Sequence, residues 1–150
     1  MPTPPAAPAT TAHLGLCVSD LERSLRFYCE GLGFERAEGY DLDDGMLPGL
    51  GDALEVGSPV ALRSQMISSG SMRIELLHYR EPATDGRPSD RRNLLGFTHL
   101  SFWVDDIDEV LPRLVATGGV VLEGTRRTLG VDLVFVADPD GARIELMQRA

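Results

Sequence analysis

The sequence predicts an α+β fold built from two copies of one small unit that share a core. Three observations carry this. The segment HLGLCVSDL at His13–Leu21 recurs as HLSFWVDDI at His99–Ile107. The tetrapeptide Arg73-Ile74-Glu75-Leu76 recurs unchanged as Arg143-Ile144-Glu145-Leu146. Between each opening segment and its closing tetrapeptide, apolar residues pass from helical spacing to short apolar runs. Each half therefore reads strand, helix, strand, strand, strand.

The elements follow in order. His13–Val18 is short and apolar and reads as a strand. Ser19 with Glu22 three residues on fits a capping box. Leu21, Leu25, Tyr28 and Leu32 keep helical spacing and Gly31 supplies a stop, so a helix is expected over Asp20–Glu30. Gly33–Glu38 is the expected second strand. Asp41–Gly57, rich in Gly and Asp, reads as a long loop. Val60–Ile67 and Met72–Tyr79 are strands separated by a turn at Ser68–Ser71. Arg80–Asn93 holds two prolines and several charges and suits a linker.

The pattern then restarts. Phe97–Val104 reads as a strand, and Asp105–Thr117 as a helix through Ile107, Val110, Leu111, Leu114 and Val115, with Gly118 as its stop. Pro112 lies inside that span. An interior proline costs about 3 kcal/mol, so a kink or a late start is expected. Val120–Leu122, Val131–Val136 and Ala142–Met147 complete the second unit, with Asp138-Pro139-Asp140-Gly141 a strong turn between the last two. One domain is expected over residues 12–150, with the first unit at 12–80, a linker at 81–95 and the second unit at 96–148. Met1–Thr11 is rich in Pro, Ala and Thr and lacks the basic start and apolar run of a signal peptide. It is expected to be a disordered tail.

Charge narrows the partners. Acidic residues number 23 and basic residues 14, for a net charge of −9. Such a surface disfavours nucleic acid and anionic membranes. Every basic residue is Arg, which excludes Schiff-base chemistry on lysine. No stretch approaches the ~18 apolar residues that span a bilayer. Two cysteines, Cys17 and Cys29, are too few for a disulfide framework or a cysteine-based zinc site. Free thiols and a cytoplasmic location are expected.

Strand alternation places the chemistry. His13, Gly15 and Cys17 share one face of the first strand, and His99, Ser101 and Trp103 share the matching face of its counterpart. Arg73, Glu75, Leu77 and Tyr79 face away from Ile74 and Leu76; Arg143, Glu145 and Met147 face away from Ile144 and Leu146. A carboxylate inside an apolar strand needs a partner. Two imidazoles and two carboxylates would suit a divalent Zn, Ni, Co, Mn or Fe ion. The alternative is that each Glu pairs with the Arg two residues before it and that the histidines are satisfied core residues. The duplication favours the metal. His78 lies opposite Glu75 and reads as structural or exposed; Arg126 reads as solvated.

The segments HLGLCVSDLERSLRFYCEGLGF, RIELLHY, THLSFWVDDID and DPDGARIEL cover nearly all of the chain beyond Thr11. On these the chain resembles the vicinal oxygen chelate superfamily of glyoxalases, bleomycin resistance proteins and extradiol dioxygenases. The resemblance implies two βαβββ modules forming a curved, cup-like mixed sheet around a metal held by His13, Glu75, His99 and Glu145. A set of four resembles the glyoxalase I and methylmalonyl-CoA epimerase branches. Extradiol dioxygenases and fosfomycin resistance enzymes typically use two His and one Glu, and bleomycin-binding members lack the set. Glu145 and Glu75 are then the candidate catalytic carboxylates, and Trp103, Arg127, Tyr79 and Cys17 the candidate substrate contacts.

The chain departs from true glyoxalase I where glutathione would be held. Cys17 stands in place of an Arg four residues after the first His, and Tyr79 in place of an Asn four residues after the first Glu. Arg127 lies where bacterial glyoxalases carry a basic loop residue. The reading is a metal-dependent isomerase, epimerase or lyase acting on a small metabolite, in a homodimer. The alternatives are an Fe(II) dioxygenase and a binding protein that sequesters an antibiotic. The residues leave open whether the site lies within one chain or across two.

Overall fold

The computed structural model describes residue 1 and residues 6–150. Of the expected tail, residues 2–5 lie outside the described residues, and 6–11 are exposed without regular structure.

Each half builds its own sheet. In the first, β1 (Leu14–Cys17), β2 (Glu35–Asp43), β3 (Ala61–Ser69) and β4 (Met72–Glu81) take the order β1-β4-β3-β2. The second contains β5 (Leu100–Trp103), β6 (Val120–Val121), β7 (Arg127–Thr128), β8 (Asp132–Ala137) and β9 (Arg143–Gln148). Its order is β5-β9-β8-β6, with β7 paired to β8. In both sheets the first strand runs parallel to the last. The repeat extends to register: Leu14 pairs with Ile74 and Gly15 with Glu75, as Leu100 pairs with Ile144 and Ser101 with Glu145.

The first helix differs from the expected Asp20–Glu30 cylinder. It begins as α1 (Leu21–Leu25) and widens into a π-helical turn over Arg26–Gly31. There the Leu32 N–H reaches back five residues to the Phe27 carbonyl, at 3.0 Å. Its cap also differs. The Asp20 carboxylate, not the Ser19 hydroxyl, accepts the Arg23 N–H at 3.0 Å. Asp106 caps α3 (Ile107–Ala116) in the same way, accepting from the amide of Asp108 at 2.8 Å. Ser19 is drawn instead to the second unit, donating its amide to Asp140 at 3.0 Å and its hydroxyl to the same carboxylate. Two aspartates at matched positions thus do the capping, and Glu22 is left on the surface.

Pro112 lies inside α3 without ending it. The start at Ile107 is set by the Asp106 cap and leaves Pro112 five residues inside the helix, so the expected late start at the proline is not found. The second strand begins and ends later than expected, at Glu35–Asp43, and the loop after it contains the short helix α2 (Leu50–Ala53). The two-residue strand β7 was hidden in a segment too short and polar to announce itself.

The buried faces of both units meet in one apolar cluster. Val18, Leu25, Phe27, Tyr28, Ile74 and Leu76 from the first pack with Ile107, Leu114, Val134, Val136, Ile144 and Leu146 from the second. Full burial of such side chains stabilises by about 1.5–3 kcal/mol each. The helical segments approach closely where glycine allows it. A Cβ on Gly31 would stand 2.6 Å from Thr117 Oγ1, and one on Gly119 2.7 Å from the Phe27 ring. Arg113 Nε donates across the same seam to the Gly31 carbonyl at 2.8 Å. A buried hydrogen bond from the Tyr28 hydroxyl to Asp138, 2.8 Å, closes the junction. Burial raises the pKa of both groups above their ordinary values, most strongly for Tyr28.

Candidate active site

The repeat brings His and Glu together twice. His13 immediately precedes β1, and Glu75 sits beside it on β4, with His13 Nε2 3.0 Å from Glu75 Oε2. His99 immediately precedes β5, and its Nε2 lies 3.4 Å from Glu145 Oε2 on β9. The parallel pairing of first and last strand is what juxtaposes residues so distant in sequence. Among the described residues no three His, Cys, Asp or Glu side chains gather in a form that could hold a metal. One chain therefore presents two half-sites rather than one set of four.

The arginine alternative is not what the structure shows. Arg73 pairs with Glu38 across the sheet rather than with Glu75. Arg143 forms no ion pair with Glu145 among the described residues; its guanidinium lies over the Phe135 ring, 4.1 Å from the centroid. The histidines are not core residues either, with side chains 39% and 32% exposed.

Each carboxylate takes a serine that the sequence reading did not single out. Ser64 donates to Glu75 Oε1 at 2.6 Å, and Ser101 to Glu145 Oε2 at 2.7 Å. The hydroxyls break the symmetry, because Ser64 comes from β3 and Ser101 from β5. Glu75 has both oxygens engaged, one by Ser64 and one by His13. Glu145 concentrates both contacts on Oε2 and leaves Oε1 without a partner among the described residues. Phe135, opposite Glu145 in the ladder, packs edge-on against His99 with centroids 5.3 Å apart. Its only signal in sequence is its place two residues from Leu133 in an apolar strand.

The other expected contacts fall around these pairs. Cys17 is exposed, and Tyr79 lies on the Glu75 face, where burial and then the nearby Cys17 and Glu75 push its hydroxyl pKa up. Trp103 is 52% exposed and so is no core residue; Arg149 stands over its ring. Trp103 pairs with Met147, which pairs with Leu133, which pairs with Arg127. That row crosses the sheet one step beyond Glu145, on its face. Arg127 donates to the Arg126 carbonyl at 2.6 Å, and Arg126 pairs with Asp108. His78, on the other face, contacts the Val18 carbonyl at 3.2 Å, a structural role.

The paired modules and duplicated His–Glu strands define a class, and comparison with known proteins agrees. Residues 10–146 match the Glyoxalase/Bleomycin resistance protein/Dioxygenase superfamily, and the chain belongs to it. A probable lactoylglutathione lyase of Synechocystis sp. is 30% identical over 141 residues, covering 91% of this chain and 92% of the relative. A 2-epi-5-epi-valiolone epimerase of Actinomyces sp. is 29% identical over 143 residues, covering 90% and 76%. The crystal structure of a glyoxalase family protein from Bacillus cereus superposes with a TM-score of 0.79 at 22% identity, covering 98% of both chains.

Proposed function

We propose that the protein is a metal-dependent lyase, isomerase or epimerase that moves a proton beside a metal-bound carbonyl of a small metabolite. The observation that carries this is the duplicated His–Glu half-site, held at matched register in both sheets with no arginine ion-paired to either carboxylate among the described residues. Two imidazole nitrogens and two carboxylate oxygens are a fitting donor set for a divalent cation. When bound, the ion would act as a Lewis acid that stabilises negative charge on a substrate oxygen. His13, Glu75, His99 and Glu145 would hold it. Relatives named as a lyase and as an epimerase support the same class of chemistry.

The separation of the half-sites points to a dimer in which His13 and Glu75 of one protomer face His99 and Glu145 of the partner subunit. Leu95, in the segment leading into β5, is wholly exposed and offers apolar surface for such a partner. Glu145 is the proton carrier in this reading, because its Oε1 is free while Ser101 and His99 fix Oε2. Ser64 and His13 hold Glu75 at both oxygens, which suits a fixed ligand. A cytoplasmic location is part of this reading; among the described residues no helix is long and apolar enough to cross a membrane.

Metal titration of chelator-treated protein tests the proposal. One Ni, Co or Zn ion should bind per chain, and His13→Ala and His99→Ala should each abolish it. Iron content with oxygen uptake would move the protein to the dioxygenases. Failure to bind any divalent metal would leave a sequestering protein.

A further inference from the structure

Arg73 and Arg143 open identical tetrapeptides but meet different fates. Arg73 finds Glu38. Among the described residues Arg143 finds no hydrogen-bonding partner for its Nε, which is buried. The Phe135 ring stabilises the guanidinium plane but accepts no directed N–H bond. A buried charged donor without an acceptor is costly, and such groups are ordinarily satisfied.

Arg143 also borders an open cleft of about 200 Å³ between the first strands of the two modules. Leu14, Leu16, Phe97 and Leu100 give it a largely apolar lining, and His99 forms part of its wall. Phe135 carries Arg143 on its face and His99 against it, tying the cation to the second half-site.

We propose that Arg143 is an anion subsite that takes the carboxylate of the substrate, a small monocarboxylate with a short apolar body. The cleft receives the apolar body, and the Arg143 guanidinium, which forms no ion pair among the described residues, donates N–H bonds to the carboxylate. Placement of the substrate carbonyl near His99 and Glu145 rests on the metalloenzyme reading above; carboxylate capture by Arg143 does not.

Calorimetric titration of the chelator-treated full chain separates the two. The probes are 4-methyl-2-oxopentanoate and its uncharged amide. The carboxylate should bind the wild type roughly tenfold or more tightly than the amide, the ordinary loss for a charged hydrogen bond. Arg143→Gln should erase that preference, and Arg143→Lys should restore part of it by charge alone. The amide comparison needs no variant, so it holds even if a substitution perturbs folding. Equal binding of the two probes, no binding of the carboxylate, or an undiminished preference in Arg143→Gln would overturn the subsite. Loss of metal binding with the preference intact would sink the metalloenzyme reading and leave the subsite standing.

Discussion

A carboxylate's role is set by what touches each of its oxygens. Glu145 sits between Ile144 and Leu146, both fully buried, yet its own contacts are a serine hydroxyl and an imidazole that both reach water. Glu145→Gln keeps the shape but cannot accept a proton, so turnover should fall roughly 10²–10⁴-fold with the melting temperature nearly unchanged. Glu145→Leu removes a desolvated charge, and Ser101 and His99 can turn to solvent. The metal-free Leu variant should therefore melt at or above wild type. Melts of both variants well below the metal-free wild type would mean the carboxylate serves the fold. Cys17 and Tyr79 decide a second matter. Neither offers a guanidinium or an amide to a tripeptide, although relatives are named lactoylglutathione lyases. With the glutathione hemithioacetal, kcat/KM should stay below about 10⁴ M⁻¹s⁻¹; a higher value in a standard assay would contradict this.

At the scale of elements, the helix starts show how a motif can mislead. Ser19 and Glu22 have capping-box spacing, but the repeat places Asp20 opposite Asp106, and both aspartates cap. Ser19 is recruited by Asp140 of the other module, which Arg23 also contacts at 2.9 Å. Asp20→Ala should therefore cost about 1 kcal/mol in denaturant melts. Glu22→Ala should change stability by less than about 0.5 kcal/mol, since its distant pairing with Arg36, 3.8 Å, is exposed. The reverse ranking would restore the box.

For the whole molecule, the arrangement of half-sites makes a distinctive forecast. In the proposed dimer with shared sites, His13→Ala and His99→Ala should each cripple every site of their own homodimers. In a mixed dimer one shared site carries both lesions and the other carries neither. Unfolding and refolding the two inactive variants together should restore roughly a quarter of wild-type activity under random pairing. If each chain builds its site alone, the mixture stays inactive.

The repeat in the sequence determined the strand–helix–strand opening and antiparallel close of both modules, the Asp138–Gly141 turn and the shared strand face of Glu75 and Glu145, because strand alternation and local turn chemistry are written residue by residue; β7 was not legible. Only the tertiary structure decided which neighbours those residues meet. Ser64 lies on β3 and Glu75 on β4, and nothing local says that the hydroxyl reaches the carboxylate. The same four letters, Arg-Ile-Glu-Leu, give an ion-paired Arg73 and an Arg143 without an ion pair among the described residues, because Glu38 arrives on β2 in one module and no described acid pairs with Arg143 in the other. The separation of the two His–Glu pairs has the same origin. It depends on how the modules pack through Phe27, Tyr28, Leu114 and the close approaches at Gly31 and Gly119, contacts between residues far apart in the chain.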